Sequence, residues 1–238
     1  MSKAYNDSTS EGLLLVDANN AFNSLNRATA LANIKSLCPP LYTFLNNTYK
    51  SPSKLFIANS DEMILSQEGT TQGDPDAMPM YAIATRPLID ELNNIIDISI
   101  TKQCWYADDS AAASTLIELK KWWSHLCKIG PSYGYYPKPS KSILIVKEGN
   151  LESAKELFKD TDLIITAEGQ RHLGAVVGTS EFKNKFVDSK VESWVNDIKD
   201  LAKIAEEEPQ LALAAYTRGL CQRWTYIQRT IPDNTDNF

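Results

Sequence analysis

Asp17, Asp108 and Asp109 are the side chains whose type and placement could do chemistry. Asp17 ends a short aliphatic run, Leu13-Leu14-Leu15-Val16, that reads as a buried strand. Asp108 and Asp109 follow a strand-like stretch, Gln103 to Tyr106, and precede another apolar stretch, Ser110 to Ala113. Read as a hairpin, this lifts both acids to the tip of a turn. Carboxylates at the ends of neighbouring strands can converge on one point, although 91 residues separate Asp17 from Asp108. Paired divalent cations, roughly 3.5–4 Å apart, are held by such oxygens together with a substrate's phosphates. The chemistry implied is metal-dependent nucleotidyl transfer, in which the protein contributes chiefly positioning and charge. Each acid also has a plainer reading: turns use Asp for their own hydrogen bonding, and Asp17 alone is well placed to cap a helix.

The elements that must position these acids can be read along the chain. Leu25, Ala28, Leu31, Ile34 and Leu37 recur at helical spacing, and Pro39-Pro40 stops that helix. A short helix follows over Leu41–Tyr49, and 54–58 with 63–67 flank a polar Asn59-Ser60-Asp61-Glu62 turn as a hairpin. The loop 68–74 opens a helix with Asp74 as N-cap and Pro75 in its first position, carrying Met78, Ala82, Leu88 and Leu92, with Pro79 and Pro87 as kink sites. After the acidic hairpin comes a helix over 115–127, broken by Gly130-Pro131. A strand at 142–146, a helix at 151–158 and strands at 163–166 and 173–177 complete the mixed region. Beyond about residue 180 the pattern is helical: Val187, Val191, Trp194, Ile198, Leu201 and Ala205 form one stripe, and a second helix runs over 209–228. Residues 231–238 read as a frayed tail.

Composition narrows the class. A chain of 238 residues with 43% hydrophobic and 23% charged content is an ordinary globular protein, one large domain or a core with a small lobe. No secretory signal is visible, the longest aliphatic run is far too short to span a membrane, and an intracellular chain is expected. Cys38, Cys104, Cys127 and Cys221 are scattered and expected to be buried reduced thiols, and His125 and His172 lack zinc-ligand spacing. The net charge of −6 opposes non-specific nucleic-acid binding. It is uneven: residues 1–100 hold 6 Lys/Arg against 11 Asp/Glu, whereas 102–147 holds 7 Lys against Asp108, Asp109 and Glu118. Those lysines suit either a solvated face or a strand-binding patch.

Asp17-Ala18-Asn19-Asn20-Ala21-Phe22-Asn23, Gln72-Gly73-Asp74-Pro75 and Tyr106-Ala107-Asp108-Asp109, in that order, resemble the palm of reverse transcriptases, nearest to the non-LTR, LINE-type enzymes of retrotransposons. Ser140-Lys141-Ser142, within Tyr136-Pro137-Lys138-Pro139-Ser140-Lys141-Ser142, is similar to the family's motif with a lysine near the nucleotide, and His172-Leu173-Gly174 to its primer-grip turn. Five motifs in sequence, covering roughly residues 12–178, are far more specific than any one. The resemblance implies an α+β fold: a polymerase palm, an antiparallel sheet with packed helices, over 12–180 behind an N-terminal tail at 1–11, then a helical thumb-like region over 181–230 and a C-terminal tail. It implies an RNA-directed DNA polymerase that adds dNTPs to a primer 3′ end with two Mg²⁺ or Mn²⁺ ions. Asp17, Asp108 and Asp109 would be its metal ligands and catalytic acids, and an RNA template and a DNA primer its partners. Phe22 matches the aromatic gate against a ribose 2′-hydroxyl, although a core aromatic fits it as well; Gln72 and Gly73 would lie against the nascent base pair; Lys141 would face the triphosphate; Leu173 and Gly174 would form the primer grip.

Two departures stand out. Asp76 occupies a position where the family commonly has Leu, which suits a helix N-terminus but adds negative charge beside a nucleic-acid surface. Sixteen residues precede Asp17, with Lys3 the sole base among them, so the resemblance implies a palm without the family's basic fingers and without its endonuclease: a truncated copy, or a piece of a longer frame that supplies the fingers. A catalytically inactive remnant that only binds nucleic acid or a protein partner is the alternative, and an unrelated metal enzyme built on the acidic hairpin is a third.

Overall fold

The computed structural model describes residues 1–71 and 73–231. The chain is α+β and divides into two compact units, Met1–Ile165 and Thr166–Phe238. The first unit runs α1 (Ser2–Tyr5), β1 (Gly12–Val16), α2 (Ala21–Ser24), α3 (Arg27–Leu37), α4 (Pro39–Tyr49), β2 (Ser53–Phe56), β3 (Met63–Ser66), α5 (Ala77–Ile95), β4 (Lys102–Tyr106), β5 (Asp109–Ser114), α6 (Leu116–Tyr133), β6 (Ile143–Val146), α7 (Leu151–Leu157) and β7 (Ile164–Thr166), whose last residue lies past the division.

One five-stranded sheet, in the order β4-β5-β1-β6-β7, organises the first unit, and β1 pairs antiparallel with both β5 and β6. Central position explains why Gly12-Leu13-Leu14-Leu15-Val16 is apolar throughout and buried at every residue. In β5 the run Ala111-Ala112-Ala113 is buried and small, which lets α6 pack close to the sheet, where Trp122 is fully buried. The hairpin β2–β3 is a separate two-stranded sheet with Leu55, Phe56, Ile64 and Leu65 exposed.

Several local readings need correction. Helix α5 starts two residues later than expected: Asp76 is its N-cap, Pro75 lies in the preceding turn, and the Asp74 carboxylate accepts the Asp76 N–H at 2.9 Å. The helix then continues through Pro87. Helix α6 does not break at Gly130-Pro131. Pro131 costs a single backbone bond near the helix end, and the helix terminates three residues on at Gly134, a left-handed C-cap with φ +78°. Helix α4 starts at Pro39, because proline is tolerated in a first turn whose N–H groups have no helical partner. The four cysteines are free thiols, but none is buried: Cys104 and Cys127 are exposed, and Cys38 and Cys221 are half-buried.

The second unit contains the hairpin β8 (Gly169–His172) and β9 (Ala175–Gly178), then α8 (Ser180–Glu207), α9 (Pro209–Ala215) and α10 (Cys221–Thr230). The strand expected from Leu173 begins instead at Ala175, because Leu173 and Gly174 make the turn at φ +49° and +80°. Val187 and Trp194 of the α8 stripe are buried with Val176, Leu220 and Ile227, whereas Ile198 is exposed. The helix expected over 209–228 is interrupted by one π-turn at Tyr216–Leu220. The tail expected over 231–238 lies, beyond Ile231, outside the described residues.

Candidate active site

Sheet register brings the acids together. Val16 pairs with Ser110, so the chain leaving β1 at Asp17 runs beside Asp109, which pairs in turn with Tyr106 across the β4–β5 hairpin. Ala107 and Asp108 form the two-residue turn of that hairpin. Ala107 has φ +55°, a left-handed conformation that costs a residue with a Cβ roughly 1–2 kcal/mol. Hairpin turns of this length need positive φ, so the strain falls on the residue that directs Asp108.

Asp17 and Asp108 line one pocket of about 250 Å³ together with Phe22, Asn19, Lys138 and Lys141. The Lys141 ammonium stands 3.7 Å from the Asp17 carboxylate. Both groups are partly exposed, so this pair is weak and free to rearrange. Lys138 escaped the sequence reading although it lies in the segment quoted for Lys141: the motif likeness singles out Lys141, and nothing local marks Lys138 as its companion. Of the seven lysines between 102 and 147, Lys102, Lys120, Lys121 and Lys147 are engaged locally, with Ile98 and Ser99 carbonyls, Asp160, Glu118 and the Asp7 carbonyl respectively. Lys138 and Lys141 are the two that face the carboxylate pocket.

Asp109 does not line that pocket. Partial burial, and then the charges of Asp108 and Asp17, push its carboxyl above the usual carboxylate range. A raised folded-state pKa means that this group favours the fold most below its unfolded pKa, about 4, and that the advantage is lost as pH rises through the folded value. Asp109→Asn is therefore expected to melt above the wild type at pH 7, by no more than about 2 °C after solvent screening. The difference should close as the pH falls below about 4. Thermal melts at the two pH values check the sign.

Phe22 is half-buried at the pocket wall, where its ring stacks on Tyr81 of α5 at 4.7 Å. The Thr70 N–H donates to the Phe22 carbonyl at 2.8 Å, and the Gly69 N–H to the Leu25 carbonyl at 2.8 Å, tying the 68–71 loop to α2. Arg27 anchors the same loop from below: its buried guanidinium donates to the carbonyls of Gly69 and Ser66 at 2.7 and 2.8 Å. The Tyr49 hydroxyl donates to the Asp74 carboxylate. Arg27 and Tyr49 went unnoticed in the sequence, since an isolated Arg or Tyr carries no local sign of a tertiary partner. Gln72 lies outside the described residues. Gly73 is exposed at φ +92°, and a Cβ there would meet nothing within 4 Å, so backbone conformation and not crowding by the protein accounts for its glycine. Leu173 and Gly174 belong to the second unit, where the Tyr226 hydroxyl donates to the Leu173 carbonyl.

Whether the acids suit a divalent cation follows from the donor set. Two hard oxygen donors share a pocket, and a third carboxyl close by is held partly against ionisation by the same two charges, an arrangement that a cation would relieve. Among the described residues, no group of three or more His, Cys, Asp or Glu side chains stands close enough to hold a metal ion by itself. The set fits an ion that takes its remaining ligands from water and a substrate, as Mg²⁺ commonly does, and not a cage made wholly of protein.

No protein-family model matches the chain, and no curated protein matches it. Among solved structures it is similar to apo telomerase from Candida tropicalis truncated from its C-terminal domain, at 11% identity and a TM-score of 0.43. The match covers 61% of this chain and 32% of that one, so the chain spans about a third of the protein it resembles. A likeness of this size decides nothing about activity. No helix among the described residues is long and apolar enough to cross a membrane.

Proposed function

We propose that this chain is the palm and thumb-like part of an RNA-directed DNA polymerase of the non-LTR retrotransposon type. One observation carries the reading: residues from three separate sequence motifs, Asp17 and Phe22, Asp108, and Lys141, line a single polar pocket. Asp17 and Asp108, with Asp109 beside them, would hold Mg²⁺ or Mn²⁺, whose charge when bound favours ionisation of a primer 3′-hydroxyl and offsets the charge of the leaving pyrophosphate. Lys138 and Lys141 supply positive charge for the phosphates of an incoming dNTP, and Lys141 can exchange its weak contact with Asp17 for a phosphate oxygen. Phe22, held by its stack on Tyr81, supplies a rigid aromatic edge against the sugar, where a 2′-hydroxyl would collide. Gln72 and Gly73 are assigned to the nascent base pair, and Leu173 and Gly174 to the primer strand.

Primer extension on an RNA template with Mg²⁺ or Mn²⁺ tests this. Template-directed addition of deoxynucleotides, abolished by chelation, is the expected result; a folded chain that extends no primer with either ion would overturn it. A second reading, an inactive remnant that binds nucleic acid, draws on the absence of a self-sufficient metal cluster among the described residues and on the net charge of −6. It is distinguished by salt-sensitive binding of primer–template that persists without extension and ignores Asp108→Asn.

A further inference from the structure

Tyr135 is more deeply buried than almost any polar side chain of the first unit, at 1% exposure, and the proposed chemistry gives it no task. Its hydroxyl lies 3.0 Å from the backbone carbonyl of Asp108 and 2.9 Å from the Ser110 Oγ. A phenol has one proton to donate. Donated to the Asp108 carbonyl, which offers no proton in return, it obliges Ser110 to donate to the tyrosine oxygen, and every hydroxyl in the chain of contacts is satisfied. Tyrosine is un-ionised at neutral pH, so the Tyr135 hydroxyl is available as a donor. Its ring is wedged against Trp105 of β4 at 5.3 Å, which leaves the hydroxyl little freedom to swing away.

The segment that begins with Tyr135 also grips the other acid. The Asn19 N–H donates to the Tyr136 carbonyl at 2.9 Å, Ala18 forms a β-bridge with Pro137, and the Lys138 N–H donates to the Asp17 carbonyl at 2.8 Å. The Asp17 N–H donates to the Ser142 Oγ at 3.2 Å, and that hydroxyl donates to the Lys138 carbonyl at 2.9 Å. Asp17 is thus fixed through its backbone by residues 136–142, and the Asp108 turn through its backbone by the residue directly before them. The turn is a strained one: Ala107 is left-handed, and Asp108 lies just outside the ladder that ends at the Tyr106–Asp109 pair.

We infer that Tyr135 is a positioning residue, which sets where the Asp108 carboxylate stands relative to Asp17 by pinning the Asp108 carbonyl to the strap that holds Asp17. The inference rests on the carboxylate pocket being a cation site, as proposed above. Without the bond the strained turn is free to relax, and the two carboxylates no longer keep one separation.

The test compares wild type, Tyr135→Phe, Ser110→Ala and Asp108→Asn, using amide hydrogen exchange and sensitised Tb³⁺ luminescence. Tyr135→Phe keeps the ring packing and removes only the donor. It is expected to speed exchange in the peptide spanning 105–111 by about tenfold, a change read as loss of one hydrogen bond holding a local opening, with α3 and α4 unchanged. Tb³⁺ affinity should fall by about three- to tenfold. Ser110→Ala, which leaves the Tyr135 donor on Asp108, should change both by less than about twofold. Wild-type exchange in Tyr135→Phe, or faster exchange spread evenly over the chain, would overturn the positioning role, as would faster turn exchange with unchanged Tb³⁺ affinity. Tb³⁺ binding that is indifferent to Asp108→Asn would overturn the cation site itself, while the exchange data would still report whether Tyr135 holds the turn.

Discussion

On the proposed polymerase reading, Asp108→Asn is expected to lower primer extension by about a thousandfold, with the fold intact. Asp108 occupies the tip of the β4–β5 turn and lines the pocket with Asp17. With two protein carboxylates there and no further cluster among the described residues, each acid is a large share of the charge available to a cation. A bound cation contributes several kcal/mol of transition-state stabilisation, and about 4 kcal/mol corresponds to a thousandfold in rate. The change is isosteric and the site partly exposed, so stability should hardly move. Single-turnover extension beside a thermal melt checks both halves: an active Asp108→Asn protein would place the chemistry elsewhere, and a molten one would void the comparison. Asp17→Asn should behave alike, since the two acids act as a unit and their effects are not additive.

Gly134→Ala should be strongly destabilising, costing about 2–5 kcal/mol. Gly134 ends α6 at φ +78°, which alone costs a residue with a Cβ roughly 1–2 kcal/mol. An added Cβ would fall 2.0 Å from the Ser24 carbonyl oxygen and 2.5 Å from the Asn26 nitrogen, backbone atoms that cannot rotate away, so overpacking adds about 1–3 kcal/mol or more. Such a loss is a large part of the roughly 5–15 kcal/mol that stabilises a domain. Equilibrium urea unfolding reads it as a lowered midpoint at unchanged slope. Gly73→Ala is the control: φ +92° with nothing within 4 Å predicts roughly 1–2 kcal/mol, the conformational part alone.

Sequence reading succeeded where the signal is local. The hairpin around Tyr106-Ala107-Asp108-Asp109 is marked by short strand-like runs on either side of a polar turn, and β1 by an unbroken aliphatic run ending in Asp17. Both elements form where they were expected, but of the two acids only Asp108 lies in the turn, because Asp109 pairs with Tyr106 and opens β5. It failed where a residue's neighbour decides its role. Gly130-Pro131 reads as a helix end, but one lost backbone bond is outweighed by burying Tyr133 and by the better terminator at Gly134. Asp74 reads as an N-cap, yet its carboxylate serves Tyr49 and the Asp76 N–H, and the helix starts after Asp76.

The amino-acid order by itself determined which side chains could do chemistry and which short elements present them, because a carboxylate's type and a strand's period are properties of a few consecutive residues. Only the tertiary structure decided that Asp17 and Asp108 share a pocket, that Lys138 joins Lys141 in it, and that Asp109 stands outside it with a raised pKa. It also decided the parts played by Arg27, Tyr49 and Tyr135. Those outcomes depend on pairing register between strands about a hundred residues apart, on burial, and on single hydrogen bonds across elements, none of which leaves a periodic trace along the chain.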